Sequence, residues 1–259
     1  MEASSVNRPV FRKLVARFRQ HLQDRCIMKP VTILAQAVGA WLQYEFACNR
    51  SNLFSERYLS VAIADALNAI HRDEVRSEYL HPVLAPHKTG PGRRPEVDFA
   101  TIRHYPAVTS VVESKWVGSG GILAADVLWD LLRLELIANA SNVPAYFVLA
   151  GRRKYLEKFF ASKAFSGNPT AQGKYRHLLK LDHRPTGIRI DSPNDDRREM
   201  FRKLFHDYQT VSFPSRISTS TPALYPEACP MFQYQAYVWR VLSPTVSRFM
   251  PRNNRAYAR

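Results

Sequence analysis

The chain contains few cysteines. Only Cys26, Cys48 and Cys229 occur among its 259 residues, and no two of them have a CxxC spacing. Such spacing indicates neither a disulfide framework nor a zinc site. The eight histidines also form no metal-ligand spacing with a cysteine or with one another. A reducing, cytoplasmic compartment is therefore the expectation for this protein.

Long apolar runs are also missing. No uninterrupted run reaches the ~18 residues that a membrane-spanning helix needs. The first residues are not a charged stretch that leads into an apolar one, so we expect no signal peptide. Internal repeats and low-complexity tracts are absent from the sequence as well. Hydrophobic residues make up 46% and charged residues 23%, which is the balance of an ordinary globular protein outside the membrane.

Acidic residues are scarce relative to basic ones. The sequence has 22 Asp and Glu against 37 Lys and Arg, which gives a net charge of +15 and a pI near 10.0. Such an excess creates a positive field that attracts polyanions. Nucleic acid is the first candidate partner and an anionic membrane surface, supported by charge alone, is the second. A protein whose charge only keeps it soluble is the remaining alternative.

The periodicity of apolar residues divides the chain into helical ends and a strand-rich centre. We treat residues 1–52 as a helical N-terminal extension and residues 53–259 as the main domain with a C-terminal elaboration, and we expect the two to form one compact domain. The elements predict an α/β (α+β) fold, with a central mixed sheet of four or more strands between helices and helical additions at both ends. The predicted helices cover residues 8–25, 31–48, 55–71, 123–140, 154–161, 172–181 and 195–208. The predicted strands cover residues 75–83, 95–103, 108–116, 145–150, 188–190 and 232–242, with a loop over 85–94 and irregular chain over 211–230.

Two neighbouring strands carry the charged residues of greatest interest. Glu113 and Lys115 lie two apart on one strand, and Glu96 and Asp98 lie two apart on the strand before it. Because strand side chains alternate between faces, each pair points to one side of the sheet. A turn near His104 would pair the strands and bring Asp98 within one or two positions of Glu113. The spacing therefore permits two carboxylates and an ammonium to share a site, although register is not fixed by sequence.

Such a site has the groups that phosphodiester hydrolysis requires. Mg²⁺ is typically held by one or two carboxylates plus substrate phosphate, which Asp98 and Glu113 would supply. Lys115 would stabilise developing negative charge or help to position the attacking water. The alternatives are an edge strand on which Glu113 and Lys115 face water, and a simple cross-strand ion pair.

These residues resemble the core motif of the PD-(D/E)XK nuclease superfamily. That motif has an acidic residue at the start of a second strand and an E-x-K or D-x-K triplet on a third. The Arg94-Pro95-Glu96-Val97-Asp98 segment resembles the first half, and Glu113-Ser114-Lys115 resembles the second. Here Pro95 is separated from Asp98 by two residues, so Glu96 and Asp98 are both candidates for the metal ligand. Asp98 is favoured because an apolar strand segment continues directly after it.

The resemblance covers about residues 53–160 and implies a restriction-endonuclease-like fold. It implies a nuclease that uses Mg²⁺, or Mn²⁺, with DNA ahead of RNA as the substrate and a homodimer as the form frequent in such enzymes. The superfamily often adds a glutamate from the helix before the strands, and Glu56 is in that position. The implied metal ligands are thus Asp98, Glu113 and Glu56, with Lys115 beside them. The helix after the third strand and the apolar strand over 145–150 resemble the elements that follow in this fold.

Several basic residues flank these elements, and a closing strand is rich in aromatic residues. The basic residues are candidates for phosphate contact, with solvated surface charge as the alternative. Asp130 and Arg133, three apart on a helix, are interpreted as a surface ion pair, with a catalytic role as the less favoured alternative. The aromatic run at Phe232, Tyr234, Tyr237 and Trp239 indicates a strand with one face in the core, and stacking on exposed bases is the minor alternative. The candidate nucleic-acid-binding residues are Lys88, Arg93, Arg94, Arg152 and Arg153.

Three functions remain open from the sequence. The first is a Mg²⁺-dependent nuclease that acts on DNA. The second is a catalytically inactive module of the same fold that binds nucleic acid or protein. The third is a basic interaction protein on which the acidic and lysine positions are surface residues without a catalytic role.

Overall fold

The computed structural model describes residues 29–88, 92–167, 177–181, 188–192, 195–243 and 247–258. The basic helix predicted over residues 8–25 lies outside this range, as do residues 172–176 of the helix predicted over 172–181. Residues 177–181 are described and are not helical.

Helices occur before, between and after the strands. The predictions over residues 31–48, 123–140 and 154–161 agree with observed helices to within one residue at each end. The helix over Ala124–Ser141 is followed by Asn142, which takes a left-handed conformation at φ 52°, as residues at helix C-termini often do. The α-helices are α1 (Pro30–Ala47), α2 (Leu59–His71), α3 (Ala124–Ser141), α4 (Arg153–Ala161), α5 (Lys163–Ser166) and α6 (Asp195–Phe205), with 3₁₀ turns at Ser51–Leu53, Ala85–His87 and Pro251–Asn253.

The strands build one large sheet and one small one. Within the described residues the large sheet has eight strands in the order β1-β2-β3-β4-β9-β7-β5, with β8 also paired to β9, and the small sheet pairs β10 with β6. The strands are β1 (Glu74–Leu80), β2 (Glu96–His104), β3 (Ala107–Val117), β4 (Ala145–Arg152), β5 (Ile188–Arg189), β6 (Phe213–Pro214), β7 (Arg216–Thr219), β8 (Ala223–Tyr225), β9 (Tyr234–Leu242) and β10 (Arg248–Phe249).

Strand β3 lies inside the large sheet, between β2 and β4. It is antiparallel to β2 and parallel to β4, the one parallel pairing among the described strands. A parallel pair needs a crossover connection, and α3 supplies it. Because β3 is an interior strand, the edge-strand alternative for Glu113 and Lys115 is wrong.

Each face of the sheet is covered by its own hydrophobic cluster. Along β3, Val111 packs into the cluster that contains Leu131 of α3, whereas Val112 packs into the cluster that contains Leu34 of α1. This alternation follows from the period of two in a strand. Glu113, two residues after Val111, therefore belongs to the face that α3 covers. The fold is thus a mixed α/β one, with a mostly antiparallel sheet flanked by helices.

Helix α1 approaches β8 closely at Gly39. A Cβ atom at this position would overlap the Tyr225 carbonyl oxygen and would lie 2.8 Å from the Tyr225 ring. The absence of a side chain at Gly39 is therefore what lets this helix pack onto the sheet.

The stretch over residues 211–230 differs most from its sequence prediction. Its richness in Ser, Thr and Pro predicts irregular chain, yet it contains β6, β7 and β8. These strands are only two to four residues long and their pairing partners are remote, as in the Ser218–Leu242 pair. Local composition carries little information about such short, non-local pairings.

None of the helices in the described residues is both long and apolar enough to cross a membrane.

Candidate active site

The pairing of β2 with β3 brings the two predicted carboxylates to one level of the sheet. Phe99 is opposite Val112 and Ala100 is opposite Val111. One further step along each strand places Asp98 level with Glu113, and directly opposed residues of an antiparallel pair point to the same face. The sequence prediction allows Asp98 to lie one or two positions from the residue opposite Glu113. In the observed register Asp98 lies directly opposite Glu113.

Asp98 is held by the strand opposite to it. The backbone N–H of Ser114 and the Ser114 hydroxyl each donate to Asp98 Oδ2, both at 2.8 Å. These two bonds fix the orientation of the carboxylate while Oδ1 takes no part in them. Asp98 also lines a cleft of about 220 Å³. Oδ1 is therefore the oxygen of Asp98 that is available to a ligand.

Glu113 is fully buried, and its close cationic neighbour is Arg133 of α3. The distance from Arg133 Nη2 to Glu113 Oε1 is 2.8 Å. The two groups form an ion pair without an aligned hydrogen bond, and neither Glu113 oxygen accepts a hydrogen bond from the described part of the chain. A buried carboxylate with unused acceptor capacity is uncommon in folded proteins, and its oxygens are left free for a ligand.

Lys115 lies among acceptors on three sides. Its ammonium is 3.2 Å from Glu56 Oε1, 3.0 Å from Asp130 Oδ2 and 3.2 Å from the Ser114 carbonyl oxygen. Only 17% of the Lys115 side chain is exposed. Helix α2 begins at Leu59, so Glu56 lies in the turn before the helix and not within it, contrary to the sequence prediction. The turn still brings Glu56 to the lysine.

Burial and charge together shift the ionisation of these groups. Burial raises the pKa of Glu113 well above its usual value, and the nearby Asp130 carboxylate adds to the effect while Arg133 opposes it. Burial also raises the pKa of Asp130 to about 6, against the opposing attraction of Arg133 and Lys115. For Lys115, burial acts to lower the pKa, but the attraction of Asp130, Glu56 and Asp98 outweighs it and the pKa is raised.

The cluster has an excess of negative charge when all its groups are ionised. Four carboxylates, those of Glu56, Asp98, Glu113 and Asp130, surround two cations, Lys115 and Arg133, which leaves a formal charge of −2. The raised pKa values of Glu113 and Asp130 are consistent with this excess, because protonation relieves it.

A divalent cation fits this donor set. In the described residues, no group of three or more His, Cys, Asp or Glu side chains is arranged to hold a metal ion. Mg²⁺, however, usually takes only one or two carboxylates from the protein and completes its shell with water and substrate phosphate. Asp98 and Glu113 have the unused oxygens for such a site, and a charge of +2 would match the local excess of −2.

The cleft beside Asp98 is partly lined by basic residues. Arg93 and Arg94 lie on its wall together with Arg133. Arg93 is paired with Glu78 at 3.0 Å and with Glu96. Arg94 has no ion pair or hydrogen bond with a described side chain, so its charge is available to a ligand. Of the two acidic candidates on β2, Glu96 is thus paired with Arg93. Asp98 instead accepts hydrogen bonds from Ser114.

The other predicted nucleic-acid-binding residues lie apart from this cleft. Lys88 is paired with Asp207 at 2.9 Å. Arg152 donates to the Tyr234 hydroxyl at 3.1 Å and lies over the Tyr234 ring. Arg153 is paired with Glu157 at 2.8 Å.

Sequence reasoning missed the two site residues on α3. Asp130 and Arg133 are wrongly predicted to be a surface pair, because both are largely buried and they contact Lys115 and Glu113 as well as each other. A signal was present, because Asp130 is followed by two leucines in a helix whose residues are mostly apolar. A charged residue on the buried side of such a helix needs a partner in the interior.

Comparisons with protein-family models, with curated proteins and with solved structures found no significant match for this chain.

Proposed function

We propose that this chain is a metal-dependent nuclease that hydrolyses phosphodiester bonds of DNA, with a site made of two carboxylates and a lysine. One observation carries the proposal. Asp98, Glu113 and Lys115 meet on one face of adjoining interior strands, next to a cleft whose Arg94 pairs with no described side chain. Charges on interior strands are costly to bury unless they are paired, so a group of them kept together there indicates a function.

Each residue of the chain has a role in this proposal. Asp98 and Glu113 would hold the cation through their carboxylates, and Glu56 would hold it through water while it also positions Lys115. When bound, a divalent cation neutralises phosphate charge and makes a coordinated water more acidic. Lys115, held between Asp130 and Glu56, would donate hydrogen bonds to the scissile phosphate or orient the attacking water.

The basic residues of the cleft would orient the substrate. A phosphate group in the cleft would meet the guanidinium of Arg94, which has both the charge and the planar donor geometry for phosphate. Arg93, which is already paired with two carboxylates, would contribute less. Contacts of this kind position the backbone without reading its sequence.

We also propose that the core is restriction-endonuclease-like. The order α2, β1, β2, β3, α3, β4 supports this, since it repeats the helix, three strands, helix and strand of the sequence prediction. Asp98 on the second strand and the Glu113-Ser114-Lys115 triplet on the third add further support. Helix α3, which follows the third strand and covers the site, corresponds to the helix that the resemblance implies.

Metal-dependent cleavage tests the function directly. The full chain would be incubated with supercoiled, linear duplex and single-stranded DNA and with RNA, with Mg²⁺, with Mn²⁺ and with EDTA. Cleavage that needs the metal and that falls by about a hundredfold or more in Asp98→Asn, Glu113→Gln and Lys115→Met is the expected result.

Matched controls separate the site from general charge effects. Asp65→Asn and Lys203→Met remove one exposed carboxylate from α2 and one exposed ammonium from α6, and both should cleave as the wild type does. If no nucleic acid of any form is cut by a folded chain that binds Mn²⁺, the nuclease proposal is wrong.

A catalytically inactive module of the same fold is the second candidate. The observation in its favour is that Arg133 and Lys115 already pair with Glu113 and Asp130, so part of the buried charge is balanced without a metal. Such a module would bind DNA with a salt dependence set by its phosphate contacts, and EDTA would not change that binding.

A further inference from the structure

A band of aromatic side chains lies on the side of the sheet that α1 and α2 cover. Neighbouring ring centroids within it are 4.6 to 6.4 Å apart, from Tyr44 through to Phe232. We call this surface the aromatic band, and its members are Tyr44, Trp41, Tyr58, Phe54, Phe46 and Phe232, with Tyr234 buried beneath them.

The two ends of the aromatic band are open to solvent. Tyr44 is 59% exposed and Phe232 is 57% exposed, and the neighbouring Leu53 and Met231 are also exposed. Four of the nine large hydrophobic side chains that are exposed in the described residues thus belong to or adjoin this one surface. Adjacent exposed apolar residues, such as Met231 and Phe232, mark a candidate interaction site, whereas single exposed apolar residues are normal.

The inner rings of the aromatic band pack on Tyr234. Tyr234 packs edge-on against Phe54 at 4.6 Å and against Phe46 at 5.6 Å, and it stacks on Trp116 at 5.8 Å. Aromatic side chains fixed in this way lose little conformational entropy when they bind a ligand.

Positive charge borders the Phe232 end of the aromatic band. The backbone N–H of Lys154 donates to the Met231 carbonyl oxygen at 3.1 Å, so Lys154 lies beside this exposed segment. Arg152 lies over the Tyr234 ring at 5.3 Å and donates to the Tyr234 hydroxyl. The Lys154 ammonium lies 4.8 Å from the centroid of the Tyr155 ring, and neither Arg152 nor Lys154 is paired with a carboxylate of the described residues.

The aromatic band and the candidate active site lie on opposite faces of the sheet along β3, and the turn before α2 connects them. Trp116 directly follows Lys115 on β3, and Glu56 lies between Phe54 and Tyr58 along the chain. The Glu56 carboxylate reaches the Lys115 ammonium at 3.2 Å. The turn that carries Glu56 is therefore the link between the band and the lysine.

We propose that the aromatic band binds unpaired nucleic-acid bases and that the preferred substrate is accordingly a single strand or a frayed end. The preference for substrate rests on the proposed nuclease function, whereas the binding of bases does not. Exposed rings at Tyr44 and Phe232, with basic side chains nearby that pair with no described carboxylate, match a ligand of stacked bases joined by phosphates. A protein partner would contact the rings through apolar side chains but would bring no anionic backbone. The positive charges beside the band therefore favour nucleic acid as the ligand.

The experiment is a binding titration in EDTA, in which no cleavage takes place. A fluorescently labelled short oligothymidylate is titrated with the full chain, and anisotropy gives the dissociation constant. Tyr44→Ala and Phe232→Ala should each weaken binding by about five- to tenfold, the lower part of the range for loss of one base-stacking ring. Lys154→Met should weaken binding and reduce the slope of log affinity against log salt by about 1.

Two further variants distinguish ring stacking from simple apolar contact and from a general effect of losing an exposed ring. Phe232→Leu keeps an apolar side chain but removes the ring, and it should bind as weakly as Phe232→Ala. Tyr105→Ala removes a ring that is 72% exposed and lies beside Arg76, far along the chain from the band, and it should bind as the wild type does.

Several outcomes would overturn the inference. The first is full affinity of Phe232→Leu for the oligothymidylate. The second is equal affinity for a duplex together with no effect of the ring substitutions. The third is a change of oligomeric state in Phe232→Ala, because it would show that a protein surface covers the band. If the oligothymidylate binds as expected but no metal-dependent cleavage occurs, the binding surface stands and the nuclease function fails. If cleavage occurs without any effect of the band variants on binding, the nuclease function stands and this inference fails.

Discussion

The Asp130 carboxylate lies 3.0 Å from the Lys115 ammonium and joins a helix to the strand that it covers. The other oxygen of Asp130 is 2.7 Å from Arg133, whose guanidinium is in turn 2.8 Å from Glu113. The helix thus contributes one carboxylate and one guanidinium to a site whose other charges come from the sheet and, for Glu56, from the turn before α2. This arrangement fixes Glu113 and Lys115 relative to each other before any ligand binds.

Asp130→Asn keeps the shape of this side chain and removes its charge. We expect the turnover number for DNA cleavage to fall by about ten- to a hundredfold with little change in KM, because Lys115 would lose its buried counter-ion and its fixed position. Steady-state kinetics measure both constants, and Asp65→Asn is the control. An unchanged turnover number would show that Asp130 has no positioning role.

Arg133→Met removes the cation that is shared by Glu113 and Asp130. Breaking a buried ion pair leaves uncompensated charge, so we expect the free energy of unfolding to fall by about 3 kcal/mol. Mg²⁺ should then raise the melting temperature more in this variant than in the wild type, since the cation would replace the lost charge. Thermal melts with Mg²⁺ and with EDTA test this. A smaller Mg²⁺ effect in the variant would contradict the charge balance proposed for the site.

His81 is expected to make stability depend on pH. This histidine is fully buried, accepts hydrogen bonds at Nδ1 from the backbone N–H groups of Val83 and Leu84, and has Nε2 3.1 Å from the Arg133 carbonyl oxygen. Burial lowers the pKa of His81 from 6.5 to about 4. The unfolded chain therefore binds a proton between these values and the folded chain does not, so stability should fall as the pH drops from about 6.5 to about 4.

The size of this effect is roughly 3 kcal/mol, from about 1.4 kcal/mol for each pKa unit. His81→Asn offers an acceptor near the position of Nδ1 that does not titrate, and it should lose this part of the pH dependence. Urea unfolding at several pH values compares the two proteins, and the carboxylates that they share cancel in the difference. Parallel curves for wild type and variant would rule out His81 as the cause.

Gly39→Ala is expected to reverse the usual effect of this substitution in a helix. Alanine is favoured over glycine by about 1 kcal/mol in helix interiors. Here the added methyl group would meet the Tyr225 backbone, so α1 would have to shift from the sheet and the protein should lose about 1–3 kcal/mol. Chemical denaturation measures the change. A stabilised variant would show that α1 does not pack against β8 in this way.

Much of the fold could be predicted where local patterns are strong. An uninterrupted apolar run identifies strand β4, and apolar residues that recur at helical spacing identify α1 and α3. The strands β6 to β8 were missed because their pairing depends on remote partners such as β9 and β10, which no local pattern records. Register, too, follows from the pairing of β2 with β3 and is visible only in the structure.

The part of the site that depends on a local pattern was also predictable from the sequence. Alternation along a strand places Glu113 and Lys115 on one face, and the structure adds that this face is buried under α3. Arg133 and Asp130 were missed because an i,i+3 pair of opposite charges is common on exposed helix surfaces. Only the packing of the helix reveals that this pair points inward. Glu56, predicted within a helix, instead reaches Lys115 from the turn before it.

The central claim is that Asp98 and Glu113 together hold a divalent cation beside Lys115. Anomalous diffraction from crystals of the full chain soaked in MnCl₂ tests it most directly. The predicted result is a manganese peak that bridges Asp98 Oδ1 and a Glu113 oxygen, and that is lost in crystals of Asp98→Asn. Crystals that show well-ordered Asp98 and Glu113 side chains at saturating Mn²⁺, with no peak between them, would contradict the account.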